Sequence, residues 1–380
     1  MRAKMQAPMP PTDEFFSSNI YAIRELPITI RVRTNGDGQT SSNNYLSCGG
    51  ANQEVTLSGN SANSSFFIKI LPPSSGIPYL IYSTKANTPL CVGHYTSNPN
   101  NKILMSAQDN SGSLYGASWN LLPSSSYKGY FAIQSEDYLG QSDPNNMWSV
   151  FNYVLEAKSN NKLGYGKRVN NKAQQEFFIT PINSFTLKDV VYDLDNATVK
   201  AGKEVSIVTP KTNAEYFKVE QKIDIKLKTN ETYSYNETAG TLKVTINNGN
   251  KKFPRPVPIA GKAIIEEDTE LDATYSSTTQ EVAVEVPYST KVDMKPRTLL
   301  QLTTKFKTFD LSVPYTATAT YYYNGEYREY KVKGIWNGHA IANPSYNPPT
   351  NEARFTDLET GEPVNYSLYF DKNTNTYIVK

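Results

Sequence analysis

Cysteine, histidine and long apolar runs are what this chain has least of. Only Cys48 and Cys91 occur in 380 residues, which excludes a disulfide framework. His94 and His339 are the only histidines, and no His/Cys/Asp cluster has metal-ligand spacing, so neither a metal nor any other cofactor is expected. There is no Gly-x-Ser-x-Gly elbow and no glycine loop to cradle phosphate. The acidic run EEDTE at 266–270 lacks the loop glycine and ligand spacing of a calcium site. On these grounds the chain is not read as an enzyme. Nowhere do about 18 consecutive apolar residues occur, so no transmembrane helix is encoded. The start MRAKMQAPMPPTDEFF is positive but has no apolar core, so no secretory signal is read. A formal charge of +2 argues against nucleic acid as a partner.

What is present points to strands. Charged residues make up only 19% while tyrosine alone counts 27, and no long window keeps a helical period. The length suits about two domains. The first half repeats itself: SSFFIKILPPSSG (64–76), ASWNLLPSSSY (117–127) and QEFFITPINSF (175–185) each place an aromatic two residues before Ile or Leu. Those aromatics, Phe66, Trp119 and Phe177, are read as core residues. Each unit opens on a similar strand, in ITIRVRTNG (28–36), YLIYSTKANTPLCVG (79–93) and YFAIQSEDYLG (130–140), a spacing of about 50 residues that marks an internal repeat.

Past Asn183 the texture changes to long alternating runs, such as YFKVEQKIDIKLKTNETYSY, QEVAVEVPYSTKVDMK and TATATYYYNGEYREYKVKGIW. These exceed the usual strand length of about five or six residues. Asn324-Gly325 between two of them predicts a type I′ hairpin. Between the first two runs lies TAGTLKVTINNGNKKFPRPVPIAGKAIIEEDTELDATY (238–275), which reads as two strands joined by a tip. Leu242, Val244 and Ile246 share one face of the first strand, and Val257, Ile259, Ala263, Ile265 and Leu271 one face of the second. Thr241, Lys243, Thr245, Lys262, Asp268 and Glu270 fall on the opposite parity, because side chains alternate along a strand. Glu267 departs from the pattern by falling on the apolar parity. The expected tip, 248–256, sets Phe253 among Lys251, Lys252 and Arg255.

Three such repeats resemble a β-trefoil of the ricin-B lectin type. Gln175-x-Phe177 keeps the glutamine of that family's Q-x-W signature, whereas Ala117-x-Trp119 and Ser64-x-Phe66 keep only the aromatic. The long Ser/Thr-rich strands flanking an amphipathic hairpin resemble the aerolysin pore module, including its ETX/MTX2 branch. SFTLKDVVYDLDNATV (184–199) looks like that module's opening strand, and VKGIWNGHA (332–340) looks like a strand of a fungal haemolytic lectin that joins the two parts. Aerolysin's cysteine-bearing lobes are absent.

The resemblance implies an all-β chain, with a β-trefoil lectin-like receptor-binding domain at 1–183 and an elongated antiparallel aerolysin-type pore module at 184–380. Such proteins are soluble monomers or dimers that bind a cell-surface glycan or glycoprotein, form homo-oligomers on the target membrane and unroll one hairpin per subunit into a barrel. A made-and-released toxin acting outside the cell, insecticidal or haemolytic, is therefore expected. In that form the apolar parity of the hairpin faces membrane lipid, the polar parity faces the lumen, and Lys251, Lys252, Phe253 and Arg255 meet headgroups. A non-lytic carbohydrate-binding agglutinin is the alternative.

Trefoil sugar sites pair an aromatic platform with an Asp or Asn, which points to Tyr45, Tyr95, Asp137, Tyr138 and Tyr165. The repeat places Cys48 and Cys91 apart, as two free thiols. Sequons start at Asn63, Asn196, Asn230, Asn236 and Asn365. Glycans at Asn230 and Asn236 would hinder barrel passage, so a protein never exposed to glycosylation is expected. NPSYNPPTNEARF (343–355) reads as a Pro-rich hinge, with trimming near Arg354 expected to promote assembly.

Overall fold

The computed structural model describes residues 20–34, 42–70, 79–93, 104–107, 117–135, 141–143, 146–151, 153–237, 242–247, 251–265 and 272–380. The described chain is all-β, built almost wholly from antiparallel strands with a few 3₁₀ turns. It divides into two compact units. One comprises Met1–Lys188, Ala239–Gly249 and Thr318–Val332, and the other Asp189–Thr238, Asn250–Ala317 and Lys333–Lys380. The division therefore differs from a single cut at 183/184: two later segments belong to the first unit, because alternation along a strand does not encode which strand it will pair with.

In the first unit the repeat seen in the sequence reappears as a repeated pairing. Each opening strand meets the aromatic of an aromatic-x-Ile/Leu strand: Ile28 pairs with Phe66, Tyr79 with Trp119 and Phe131 with Phe177. Phe66, Trp119 and Phe177 are fully buried, together with Ile68 and Ile179. Strand Ile28–Val32 also pairs along its length with Phe177–Pro181, so the two ends of the repeat region are tied together. Aromatic side chains of this size dominate core energetics.

Gln175 carries a structural load in the same unit. Its amide donates to Glu156 Oε2 (2.5 Å) and to the Lys167 carbonyl (2.9 Å), while its oxygen accepts from the Val169 N–H (2.8 Å). Glu156 also takes Lys158 at 2.6 Å and Lys172 at 2.9 Å. Burial pushes the Glu156 carboxyl up, but the hydrogen bonds from Lys158, Lys172 and Gln175 outweigh it and hold the group below its ordinary value. Gly166 makes the approach possible, since a Cβ there would lie 2.2 Å from Glu156 Oε2.

In the second unit, Val205–Asn213 pairs with Thr298–Phe306, which pairs in turn with Thr350–Asp357. Their inward residues Leu300, Leu302, Phe306 and Phe355 join Ile223, Ile225, Leu227, Val292 and Met294 in one core. Arg354 lies inside this ladder, opposite Gln301. This corrects the expectation of an accessible hinge there: cutting beside Arg354 would sever a paired strand, and only the Pro-rich residues before Thr350 lie outside strands. Cys48 is buried and Cys91 half-buried, both as free thiols.

The Gln175 network makes a prediction. Gln175→Ala removes partners from a buried carboxylate and a buried N–H, so it should lower stability by about 1–3 kcal/mol. Because the folded Glu156 carboxyl is held below its unfolded value, its contribution is present above pH 4.5 and is lost as pH falls through the folded value. Thermal melts from pH 7 to pH 3 should therefore show a shallower acid decline in Glu156→Gln than in wild type.

Candidate functional site

The amphipathic segment is inserted into a continuous ladder. Val219–Glu237 and Gln280–Met294 pair without a break from Val219↔Met294 to Tyr233↔Gln280. At about 3.3 Å per residue, the first of these strands is roughly 60 Å long. Its alternation is strict: Ile223, Ile225 and Leu227 are buried while Lys222, Asp224, Lys226 and Lys228 are exposed. Cross-strand pairs such as Lys226–Glu285 (3.1 Å) and Lys291–Glu220 (2.8 Å) lie on the exposed face and contribute at most about 1 kcal/mol each. Backbone ladder and apolar face carry the pairing.

The described residues of the segment that interrupts this ladder, 238–279, are dispersed over separate partners. In the first unit, Ile246 pairs in parallel with Phe185, and the Thr245 carbonyl accepts from the Phe185 N–H at 2.9 Å. Leu242 is fully buried, and its carbonyl accepts a 2.9 Å hydrogen bond from the buried Tyr330 hydroxyl. The Lys243 carbonyl accepts from Thr180 at 3.2 Å. Lys243 and Thr245 are exposed and Val244 and Ile246 half-buried, so the apolar and polar parities read from the sequence are kept over 242–246.

In the second unit, Lys252–Pro254 pairs with Asp272–Thr274, and Val257–Ile259 pairs with Lys262–Ile264. The turn lies at Ala260-Gly261, where both residues have positive φ (49° and 78°), the requirement of a type I′ hairpin. An alanine there is strained by roughly 1–2 kcal/mol. Val257, Ala263 and Ala273 are buried, Ile259 and Ile265 half-buried, and Lys262 exposed.

Of the expected 248–256 tip, the described residues 251–256 do not form this turn. Lys251 and Lys252 are exposed, but Phe253 is only 5% and Arg255 only 4% exposed. Arg255 is drawn inward by Glu231, whose carboxylate it meets at 2.8 Å. Glu231 Oε1 also accepts from the Ile341 N–H at 2.8 Å. Buried charges persist only when paired, as this guanidinium and carboxylate are. The sequence held one signal of the pair: Glu231 is an acid on the parity that carries Ile225, Leu227 and Tyr233 inward.

A tyrosine cluster closes the far end of the segment. Tyr192 and Tyr235 share a 2.6 Å hydroxyl contact, Tyr275 lies 3.3 Å from both Tyr315 and Glu237, and the Tyr235 N–H donates to the Ser276 carbonyl. Burial drives the Tyr192 and Tyr275 phenols far above their ordinary value and pushes Tyr315 up to about 12. Gly334, in the Gly-Ile-Trp stretch, is required here: a Cβ would lie 2.4 Å from the Asn236 carbonyl and 2.5 Å from the Tyr315 hydroxyl.

Of the residues expected to bind sugar, Tyr45 and Tyr165 lie among the described residues. Tyr165 is 1% exposed and stacks on Trp119 at 6.5 Å, so it is a packing residue with no face for a ligand. Tyr45 is half-buried on strand Tyr45–Ser47, opposite Ser58. Tyr95, Asp137, Tyr138, Thr241, Asp268 and Glu270 lie outside the described residues, as does Glu267. Among the described residues, no group of three or more His, Cys, Asp and Glu is placed to hold a metal ion. No helix among them is long and apolar enough to cross a membrane, which says nothing of crossing with strands.

No protein-family model and no curated protein matches the sequence. Among solved structures, the chain is similar to a lamprey immune protein at 12% identity, covering 88% of this chain and 93% of that one with a TM-score of 0.35. It is similar to an aerolysin-like protein of Bombina maxima at 11% identity, over 45% of this chain and 97% of that one, TM-score 0.27. A third match is the Mpp75Aa1.1 β-pore-forming protein of Brevibacillus laterosporus, at 12% identity over 56% and 81%, TM-score 0.25.

The Arg255–Glu231 pair generates a test. Removing one partner leaves a buried charge, so Arg255→Met or Glu231→Gln alone should cost about 3–5 kcal/mol. Arg255→Met with Glu231→Met should recover most of that loss. Urea denaturation followed by tyrosine and tryptophan fluorescence measures all four proteins. Single variants as stable as wild type would show that the pair does not hold 251–265 in place.

Proposed function

We propose that this chain is a receptor-binding, pore-forming protein that assembles on a target membrane and inserts the segment 238–275 as one β-hairpin per subunit. The observation that carries this reading is the register of the Val219–Glu237 and Gln280–Met294 ladder. Continued one residue at a time past Tyr233↔Gln280, it sets Thr241 opposite Asp272, Leu242 opposite Leu271, Lys243 opposite Glu270 and Thr245 opposite Asp268. Lys243 and Glu270 then form one opposite-charge pair on the polar face, where such a cross-strand pair is favourable. The other face collects Leu242, Val244, Ile246, Ala263, Ile265 and Leu271, with Glu267 as the acidic exception, opposite Ile246.

The same register places the turn among Pro254, Pro256 and Pro258. Prolines cannot donate to a ladder and end it there. Residues 242–252 and 261–271 then form two strands, each close to the roughly 9–11 residues that span a bilayer. A lone hairpin in lipid leaves its edges unpaired, so insertion requires a closed ring of subunits. The threefold pairing of the first unit supports a trefoil-type targeting domain for a glycan-bearing receptor, and the chain acts by binding and insertion rather than by catalysis.

Dye leakage from glycolipid-bearing vesicles tests the reading. Val244→Arg puts a charge on the lipid face, at roughly 2–4 kcal/mol per subunit near the midplane. It should abolish leakage while leaving the thermal melt and vesicle binding unchanged. Lys243→Glu should weaken leakage by setting two carboxylates opposite each other, and adding Glu270→Lys should restore it. Full leakage by a well-folded Val244→Arg protein would overturn the assignment of this hairpin. Vesicle binding without leakage by wild type would favour the agglutinin.

A further inference from the structure

The first unit contains a cleft that the sequence reading did not indicate. It is lined by Glu25, Phe67, Lys69, Thr84, Tyr323 and Asn324, with a volume of about 290 Å³, the lower end of the range for small-ligand clefts. Four pieces of chain meet there. Phe67 and Lys69 project from strand Phe66–Ile70, Thr84 directly follows strand Tyr79–Ser83, Tyr323 ends strand Thr308–Tyr323 with Asn324 in the turn after it, and Glu25 lies in the turn before strand Ile28–Val32.

The cleft is held in shape. Glu25 adopts φ 62°, a left-handed conformation costly for a residue with a side chain, and its N–H donates to the Ile68 carbonyl at 2.8 Å. Its Oε2 meets the guanidinium of Arg328 at 3.1 Å, and the Arg328 side chain is only 3% exposed. Arg328 is also paired with Glu326 at 2.5 Å. The carboxylate is thus oriented from behind by a buried cation. Phe67 is backed by Tyr82, its ring 5.0 Å away and nearly parallel. Lys69 Nζ lies 4.3 Å from the Tyr82 ring centroid and 5.7 Å from that of Phe67. Asn324 sits at φ 50° in its tight turn.

We infer that this cleft binds a pyranose of the receptor glycan, with its apolar C–H face on Phe67 and adjacent hydroxyls shared between the Glu25 carboxylate and the Lys69 ammonium. A carboxylate only accepts and an ammonium only donates, so a hydroxyl, which does both, bridges them where neither a simple anion nor a simple cation does. Thr84 and the Asn324 amide add a further hydroxyl and both polarities at the rim. The backed aromatic ring provides a rigid stacking platform at little cost in side-chain freedom. The inference rests on the receptor-binding part of the function proposed above, and it places the sugar on residues other than Tyr45 and Tyr165.

The test uses the full chain without any membrane. Saturation-transfer NMR is run against galactose, glucose, mannose, N-acetylglucosamine, N-acetylgalactosamine and their β-linked disaccharides. At least one should bind, with the strongest transfer to protons of one ring face. Lys69→Ala and Phe67→Leu should each weaken that binding roughly tenfold or more, about 1.4 kcal/mol by the free-energy equivalent of that factor, without shifting the thermal melt. Lys69→Arg should retain part of it, and Tyr45→Ala should change nothing. Binding undisturbed by the Lys69 and Phe67 variants would place the sugar elsewhere and overturn the inference. Absence of binding across the panel, in a protein that still causes vesicle leakage, would overturn the cleft while leaving the pore reading intact.

Discussion

Pairing register is the constraint on which everything else in this protein depends. Because side chains alternate with a period of two, any one-residue change in who faces whom moves a whole face from core to solvent. The ladder of Val219–Glu237 with Gln280–Met294 holds one register along its length. It is secured by buried Ile223, Ile225 and Leu227 against Val292 and Met294. The described residues of the inserted segment do not continue that register. Phe253 sits opposite Ala273 and Val257 opposite Ile264, so the conformation described here uses pairings that a continuous hairpin would have to give up.

What keeps the segment in those pairings is a set of specific anchors distributed along it. Leu242 is held through Tyr330, Arg255 through Glu231, and residues 275–276 through the Tyr235 and Tyr315 contacts. Each is polar and buried, and each links part of the segment to a strand that does not itself change partner in the proposed insertion. Such contacts are costly to leave half-satisfied. They therefore make the compact form a single state instead of a loosely packed loop.

Much of this was legible in the sequence, and the reasons for the rest are physical. Alternation marked the long strands and the two faces of 242–246, and Asn324-Gly325 marked its turn, which has φ 50° and 84° as a type I′ turn requires. The repeated aromatics marked the core of the first unit. Alternation is local, however, and says nothing of partners. It could not show that Ala239–Gly249 and Thr318–Val332 would join the first unit. Phe253 and Arg255 read as a tip because the residues around them are turn-formers, while the charge that draws Arg255 inward, Glu231, is far away in sequence. Tyr165 read as a sugar platform on residue type alone, whereas packing against Trp119 uses up its ring. The cleft at Glu25 escaped notice because its residues come from four separate stretches.

The pairing of Phe253 with Ala273 also has a kinetic consequence. In that arrangement two odd-numbered residues face each other, whereas the continued ladder matches odd with even. Sliding one strand past the other two residues at a time keeps the faces but can never convert one pattern into the other. The small sheet of Lys252–Pro254 with Asp272–Thr274 must come apart completely before the proposed long hairpin can zip. The interconversion is then an activated event, limited by local unfolding. A molecule that has not met its target would persist by the height of that barrier, even where the inserted state lies lower in free energy.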